Sequence, residues 1–288
     1  MDLSDLGTVR AVLARHGFRF SHSLGQNFIV DPAVCPRMAE LCGAGKESGV
    51  LEVGPGVGVL TRELAARAGQ VVSVELDRSL EPVLKETLAG CRNFKIVWGD
   101  VLKLDLQKLI REEFAGKDVY VCANLPYYIT SPVVMRFLEE KLPVRALTVM
   151  VQKEAAGRLC AEPGTRACGA VSAAVRYYSE PRVLFSVPRA CFYPQPNVDS
   201  AVIRLDVLEH PPVSVPDGKA FFALVKAAFG QRRKTAANSI SAGLALPKSR
   251  VAEALRAAGA PPGIRSERLT MGQLAELTNL LCQKGEIK

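Results

Sequence analysis

Through the first half of the chain, short apolar runs alternate with stretches whose apolar residues recur every three or four positions. That is the signature of strands and helices in succession. Gly49-Val50-Leu51-Glu52-Val53 reads as a short buried strand, followed by the loop Gly54-Pro55-Gly56-Val57-Gly58 and then the helical spacing Val59, Leu60, Leu64, Ala65. A second strand, Gln70 to Val74, ends in Glu75; a third, Phe94 to Trp98, ends in Gly99-Asp100; a fourth, Val119 to Ala123, ends in Asn124. A last strand is expected over Ala201 to Val207. Alternation of this kind predicts an α/β fold built on a Rossmann-like, doubly wound sheet.

The pattern changes at His210-Pro211-Pro212-Val213, where prolines stop the last strand and Asp217 is suited to cap a new helix. Beyond it the spacing is helical: Phe221, Phe222, Leu224, Val225 and Ala228; then Val251, Ala254 and Leu255 before Gly259; then Leu274, Leu277, Leu280 and Leu281, opened by Thr270 and Gln273 as a capping box. The expected division is a basic, flexible segment over 1–20, an α/β domain over 21–209 and a smaller C-terminal α-helical domain over 210–288. No internal repeat or low-complexity tract interrupts it.

Composition narrows the class. A chain of 288 residues, 48% of them hydrophobic, can fill the cores of two domains. No apolar run approaches the roughly 20 residues of a membrane span, and the start Met1-Asp2-Leu3-Ser4-Asp5 is not that of a signal peptide, so a cytoplasmic protein with no membrane partner is expected. The eight cysteines contain no C-x-x-C pair and the histidines number only three, so free thiols and no metal are expected. The net charge of +8 is unevenly spread: residues 1–209 hold 25 Lys+Arg against 24 Asp+Glu, residues 210–288 hold 12 against 5. Arg232, Arg233 and Lys234 form the densest cluster, with Arg265 and Arg268 later. Such one-sided charge suits contact with nucleic-acid phosphates, which Arg10, Arg15, His16 and Arg19 would extend.

Each of the four strand ends carries a glycine or polar feature, and the carboxyl edge of an open α/β sheet is where ligands bind. The first loop is spaced G-x-G-x-G rather than the G-x-G-x-x-G of dinucleotide enzymes, which disfavours NAD and leaves S-adenosylmethionine as the ligand class using the same device. Asn124-Leu125-Pro126-Tyr127 then supplies an amide, a carbonyl held in extended geometry by the following proline, and an aromatic ring. Those groups can hold a planar amine for reaction.

The segments Ser23-Leu24-Gly25-Gln26-Asn27-Phe28, Glu52 to Thr61, Gly99-Asp100-Val101, Asn124 to Tyr127, Phe192 to Ser200 and Phe229 to Lys234 together resemble the rRNA adenine N6-dimethyltransferase family, class I S-adenosylmethionine-dependent methyltransferases. The resemblance spans about residues 20 to 285, and its opening and its Gln231-Arg232-Arg233-Lys234 segment are similar to the small-subunit branch. It implies that Asn27 and Ile29 close over S-adenosylmethionine, Gly54 lies along its methionine portion, Glu75 takes the ribose hydroxyls, Asp100 the adenine amino group, and Asn124 touches cofactor and target. It further implies a target base held by Asn124, Leu125, Pro126 and Tyr127, with Tyr127 and Phe192 as stacking faces, and phosphates held by Arg232, Arg233 and Lys234. The implied reaction is dimethylation of two adjacent adenosines near the 3′ end of 16S rRNA, within the small ribosomal subunit or its precursor, by a monomer. Departures are Ile29 where leucine is common, His22 where a basic residue often stands, and Cys168 in place of an aromatic. The alternatives are a large-subunit rRNA methyltransferase of the macrolide-resistance type and an assembly factor acting mainly by binding the immature subunit.

Overall fold

The computed structural model describes residues 1–21 and 24–287. Its elements in chain order are α1 (Leu6–Arg15), β1 (Phe28–Ile29), α2 (Val34–Leu41), β2 (Gly49–Val53), α3 (Val59–Arg67), β3 (Gln70–Glu75), α4 (Glu81–Thr87), β4 (Phe94–Trp98), α5 (Leu106–Glu113) and β5 (Val119–Asn124). There follow α6 (Thr130–Glu139), β6 (Ala146–Gln152), α7 (Lys153–Leu159), α8 (Ala170–Tyr178), β7 (Ser179–Val187), β8 (Phe192–Tyr193) and β9 (Ser200–Val207). The last helices are α9 (Gly218–Phe229), α10 (Ala236–Leu244), α11 (Lys248–Ala257) and α12 (Met271–Gln283). No helix among the described residues is long and apolar enough to cross a membrane.

Seven strands form one sheet in the order β4-β3-β2-β5-β6-β9-β7. The pairings β3–β4, β2–β3, β2–β5 and β5–β6 are parallel, and β9 runs antiparallel to β6. Parallel strands are covered on both faces, which is why β2 is apolar but for Glu52 and is buried throughout. The strand order reverses between β2 and β5, so the loops after those two strands diverge and leave a crevice at their carboxyl ends. All the expected strands form, each within a residue of its predicted bounds.

The chain divides into two compact units, Met1–Ala156 with Glu180–Val207, and Gly157–Ser179 with Leu208–Lys288. The second unit thus starts within two residues of the expected boundary but also claims a segment that had been assigned to the first. The cause is α8, whose Ala173 and Tyr177 belong to the apolar core of α9 to α12. Tyr177 stacks on Phe221 with ring centroids 4.9 Å apart, and the Tyr178 ring lies 5.3 Å from that of Phe222. The capping expectations for this unit hold: Asp217 accepts from the backbone of Lys219 and Ala220, and Thr270 and Gln273 form a reciprocal capping box. Helix α10 escaped the sequence pattern because its contacts are made by small residues. A Cβ on Gly243 would stand 2.6 Å from Ala227 Cβ, so α10 and α9 pack backbone to backbone where no large apolar residue marks the face.

The N-terminal segment is also a correction. Instead of a flexible tail it forms α1, capped by Asp5, whose carboxylate accepts from Thr8 N at 2.7 Å. Val9, Val12 and Leu13 recur at helical spacing and bury against Val57, Leu80 and Leu84. Its basic residues are largely engaged: Arg15 and His16 both meet the carboxylate of Glu86, and the Arg10 guanidinium lies 4.7 Å from the Tyr193 ring centre. All eight cysteines are free, with Cys35, Cys42, Cys122 and Cys168 buried and the others partly so.

An ionisable group lies in the middle of the sheet. Glu52 is fully buried; one carboxylate oxygen accepts from Thr61 Oγ1 at 2.7 Å and from Ser73 Oγ, while the other has no partner. Desolvation outweighs those two bonds and raises its pKa to about 7. The folded state therefore holds a proton that the unfolded chain releases near pH 4.5, and stability falls as pH rises from there to about 7. Glu52→Gln, isosteric with the protonated acid, is expected to exceed the wild type in stability at pH 8 by on the order of 2 kcal/mol and to match it near pH 5. Denaturant titrations at the two pH values check this, and an equal effect at both would contradict the buried-proton account.

Candidate active site

Within the first unit, the carboxyl ends of β2, β3, β4 and β5 open into one cleft with about 1080 Å³ of empty space, its mouth included. The loop after β2 turns under it through Gly54, Gly56 and Gly58, at φ of 72°, 57° and 88°. Side chains rarely adopt those angles, and at Gly56 a Cβ would also press to 3.0 Å from the Phe28 ring. At Gly54 the position of a Cβ is open space within the cleft, so the backbone itself is the wall there. Helix α3 starts directly behind, at Val59, with Gly58 as its N-cap and no side chain bonded to its free N–H groups.

The end of β3 provides Glu75, only 8% exposed although it faces the cleft. Burial pushes its pKa up to about 7, opposed by hydrogen bonds from the backbone of Asp77 and Leu76. Asp77 N donates to Glu75 Oε1 at 2.7 Å, and Asp77 Oδ2 accepts from Gln26 Nε2 at 2.7 Å. Gln26 Oε1 accepts in turn from Ser21 N at 2.9 Å, so one glutamine ties the N-terminal segment to the loop after β3. Gln26 was not singled out beforehand, and its role could be found only once the two segments were seen side by side. At the end of β4, Asp100 lines the cleft and accepts from Leu102 N at 2.9 Å.

The end of β5 is the most constrained part. Asn124 Nδ2 lies 3.0 Å from the carbonyl oxygen of Asn27. A carbonyl can only accept, so the NH₂ side of the amide must face it and Asn124 Oδ1 is left as an acceptor. Asn27 is itself braced, its amide donating to Gly25 O at 3.1 Å. Leu125 N donates to Met150 O at 3.2 Å, which holds the following turn against β6. The Pro126 carbonyl is taken by Ile129 N at 3.1 Å, whereas the Leu125 carbonyl has no such donor among the described residues. Tyr127 stands over the turn with its hydroxyl 2.8 Å from Ser200 Oγ, and burial of the phenol raises its pKa against the opposing effect of that hydrogen bond. Tyr128 follows it on the same cleft wall, more than half exposed.

Asn27, Ile29, Gly54, Glu75, Asp100, Asn124, Leu125, Pro126 and Tyr127 are thus brought together around one cleft. Phe192 is not. Strand β8 pairs antiparallel with β1, opposing Phe192 to Ile29, and Phe192 is packed into the core, 4% exposed among Cys35 and Met38. Tyr193 faces the other way, toward Phe20. His22 and Ser23 lie outside the described residues. Arg232, Arg233 and Lys234 belong to the second unit, exposed on the connection between α9 and α10. Redrawn on the structural division, charge is fully segregated: the first unit holds 22 Lys+Arg and 22 Asp+Glu, the second 15 against 7, so the second carries the whole +8.

Residues 17–263 match the family described as ribosomal RNA adenine dimethylase. The chain is 49% identical, over 96% of both chains, to the ribosomal RNA small subunit methyltransferase A of Alkaliphilus oremlandii, and 47% identical, over 97% of both, to that of Geobacillus thermodenitrificans. Among solved structures, the 23S rRNA methyltransferase ErmE superposes with a TM-score of 0.69 at 29% identity, covering 89% of this chain and all of that one. A dimethyladenosine transferase from Plasmodium falciparum shares the fold, with a TM-score of 0.73 at 22% identity over 90% of this chain and 99% of that one. A family match over residues 17–263 and relatives 47–49% identical over nearly the full length lead to one conclusion: the chain belongs to the ribosomal RNA adenine dimethylase family.

Proposed function

We propose that this protein transfers methyl groups from S-adenosylmethionine to N6 of two adjacent adenosines near the 3′ end of small-subunit rRNA, in the small subunit or its precursor. In this reading it acts in the cytoplasm, as a monomer, during ribosome assembly. The observation that carries the reading is the orientation of Asn124: with its NH₂ held by the Asn27 carbonyl, its Oδ1 and the Leu125 carbonyl form a pair of acceptors at the base of the cleft. An exocyclic adenine amine has two N–H groups to offer such a pair. The higher identity to small-subunit relatives than to the 23S enzyme supports the small-subunit assignment, 49% against 29%.

The cleft fits the methyl donor. Backbone at Gly54 is bare toward the open space, Glu75 is a buried acceptor suited to ribose hydroxyls, and Asp100 is an acceptor suited to an adenine amino group. Asn27 and Ile29 would cover it from the N-terminal segment. S-adenosylmethionine, when bound, supplies an electrophilic methyl group on a sulfonium.

The residues of the chain do the rest by position. The N6 lone pair of adenine is conjugated with its ring, and acceptance of both N–H protons by Asn124 Oδ1 and Leu125 O favours a pyramidal nitrogen with its lone pair directed at the methyl carbon. With S-adenosylmethionine bound there, the nitrogen would take the methyl as the sulfur leaves as a neutral thioether, and the methylated nitrogen would lose its proton to water. No covalent link to the enzyme is needed, so the catalysis is orientation plus electrostatics. Tyr127, pinned through Ser200, offers an aromatic face for the extruded base. The exposed Arg232, Arg233 and Lys234 would contact phosphates and position the RNA without reading its sequence.

The reading is tested by incubating the protein with S-adenosylmethionine and small or large ribosomal subunits lacking adenine dimethylation, then analysing nucleosides by mass spectrometry. N6,N6-dimethyladenosine from small subunits alone is the expected product. Dimethylation confined to large subunits would move the chain to the other substrate class, and no methylated adenosine on either would sink the proposal. A second expectation follows from Glu75. Ribose hydroxyls donate to an ionised carboxylate, whereas the free acid is held near pKa 7 by burial, so affinity for S-adenosylhomocysteine should rise roughly tenfold per pH unit from about 5.5 to 7 and then level off. Calorimetry should find Glu75→Gln weaker and flat across that range; an equally flat wild type would remove Glu75 from the cofactor site.

A further inference from the structure

The site described so far accounts for Tyr127 but leaves its neighbour unused. Tyr128 is among the most exposed large hydrophobic side chains of the protein, at 56%, yet it lines the cleft. Gly25, at φ 59°, lies beside its ring: a Cβ there would sit 3.4 Å from Tyr128 Cδ1, in van der Waals contact. No other aromatic ring among the described residues stacks on it. Its place also separates it from the cofactor end of the cleft. Tyr128 follows β5, whereas Glu75 ends β3, two strands away across β2. At about 4.8 Å per strand that is roughly 10 Å.

We infer that Tyr128 is a positioning residue for RNA, a platform on which the base next to the target adenine stacks while the target itself lies against Tyr127. The inference rests on the adenine reading of the same site. Extruding one base breaks its stack with the next, and a rigid ring at the rim replaces that lost contact without reading sequence. Two consecutive tyrosines then hold two consecutive bases, the first anchored through its hydroxyl to Ser200, the second set beside Gly25. The ring, rather than the hydroxyl, is the working part.

The test is steady-state methylation of undermethylated small subunits by wild type, Tyr128→Phe and Tyr128→Ala, with S-adenosylhomocysteine affinity and melting temperature measured on each. Tyr128→Ala should raise KM for the subunit, lowering kcat/KM roughly tenfold, with inhibitor affinity and melting temperature unchanged. Tyr128→Phe should behave as wild type. An active wild type with Tyr128→Ala within twofold of it would overturn the assignment, as would Tyr128→Phe losing as much as Tyr128→Ala. Weakened inhibitor binding in Tyr128→Ala would place the ring on the cofactor instead and equally overturn it. A wild type that methylates no adenine would fail the underlying reading, an outcome told apart by that control alone. A binding readout independent of turnover, quenching of 2-aminopurine placed beside the target in an RNA hairpin, should be present in wild type and lost in Tyr128→Ala.

Discussion

The hydrogen bond from Asn124 Nδ2 to the carbonyl of Asn27 joins the end of a central parallel strand to a segment 97 residues earlier in the chain. Everything that gives the cleft its chemical direction depends on it. It decides which face of the Asn124 amide is donor and which is acceptor, and it brings the N-terminal segment over the first glycine loop. That segment is held in place by further means: Gln26 spans Ser21 and Asp77, Phe28 presses on Gly56, and β1 pairs with β8. Helix α1 adds an apolar footing on Val57, Leu80 and Leu84. A site proposed to work by holding an amine at a fixed angle would need such redundancy, because small displacements of a reacting group cost rate steeply.

The two units divide the physical tasks. The first is electrically balanced and spends its few buried charges close to the cleft, where Glu52 and Glu75 are both raised to about 7 by desolvation. The second carries the entire excess of positive charge on a helical core of its own. In the proposed reading, a first unit without net charge would not attract phosphate indiscriminately into the cleft, while a cationic unit would supply affinity that is independent of sequence and screened by salt.

Much of this was legible in the chain because the signals were local. Strands buried on both faces read as largely apolar runs, and each functional group at the sheet edge stands directly after one, so Gly54, Glu75, Asp100 and Asn124 could be placed together before any coordinates. What failed was non-local or written in small residues. Phe192 carries the same aromatic signal whether it faces a base or a core, and its burial among Cys35 and Met38 shows only in the folded chain. Helix α10 packs through Gly243 and Ala227, and α8 joins the second unit through Tyr177 and Phe221, contacts that no periodicity announces. The apolar triad of α1 was present in the sequence but overshadowed by its arginines, which proved to serve Glu86 and Tyr193.

The orientation of Asn124 is the claim on which the account rests, and Asn124→Asp tests it most directly. Aspartate keeps the shape but replaces the donor to Asn27 with a second acceptor, setting two oxygens against each other about 3 Å apart where a hydrogen bond had been. The account predicts that methyl transfer to undermethylated small subunits falls by about 100-fold or more while the protein remains folded by circular dichroism. Activity within threefold of wild type would contradict it, since the amide donor would then have no part in arming the site.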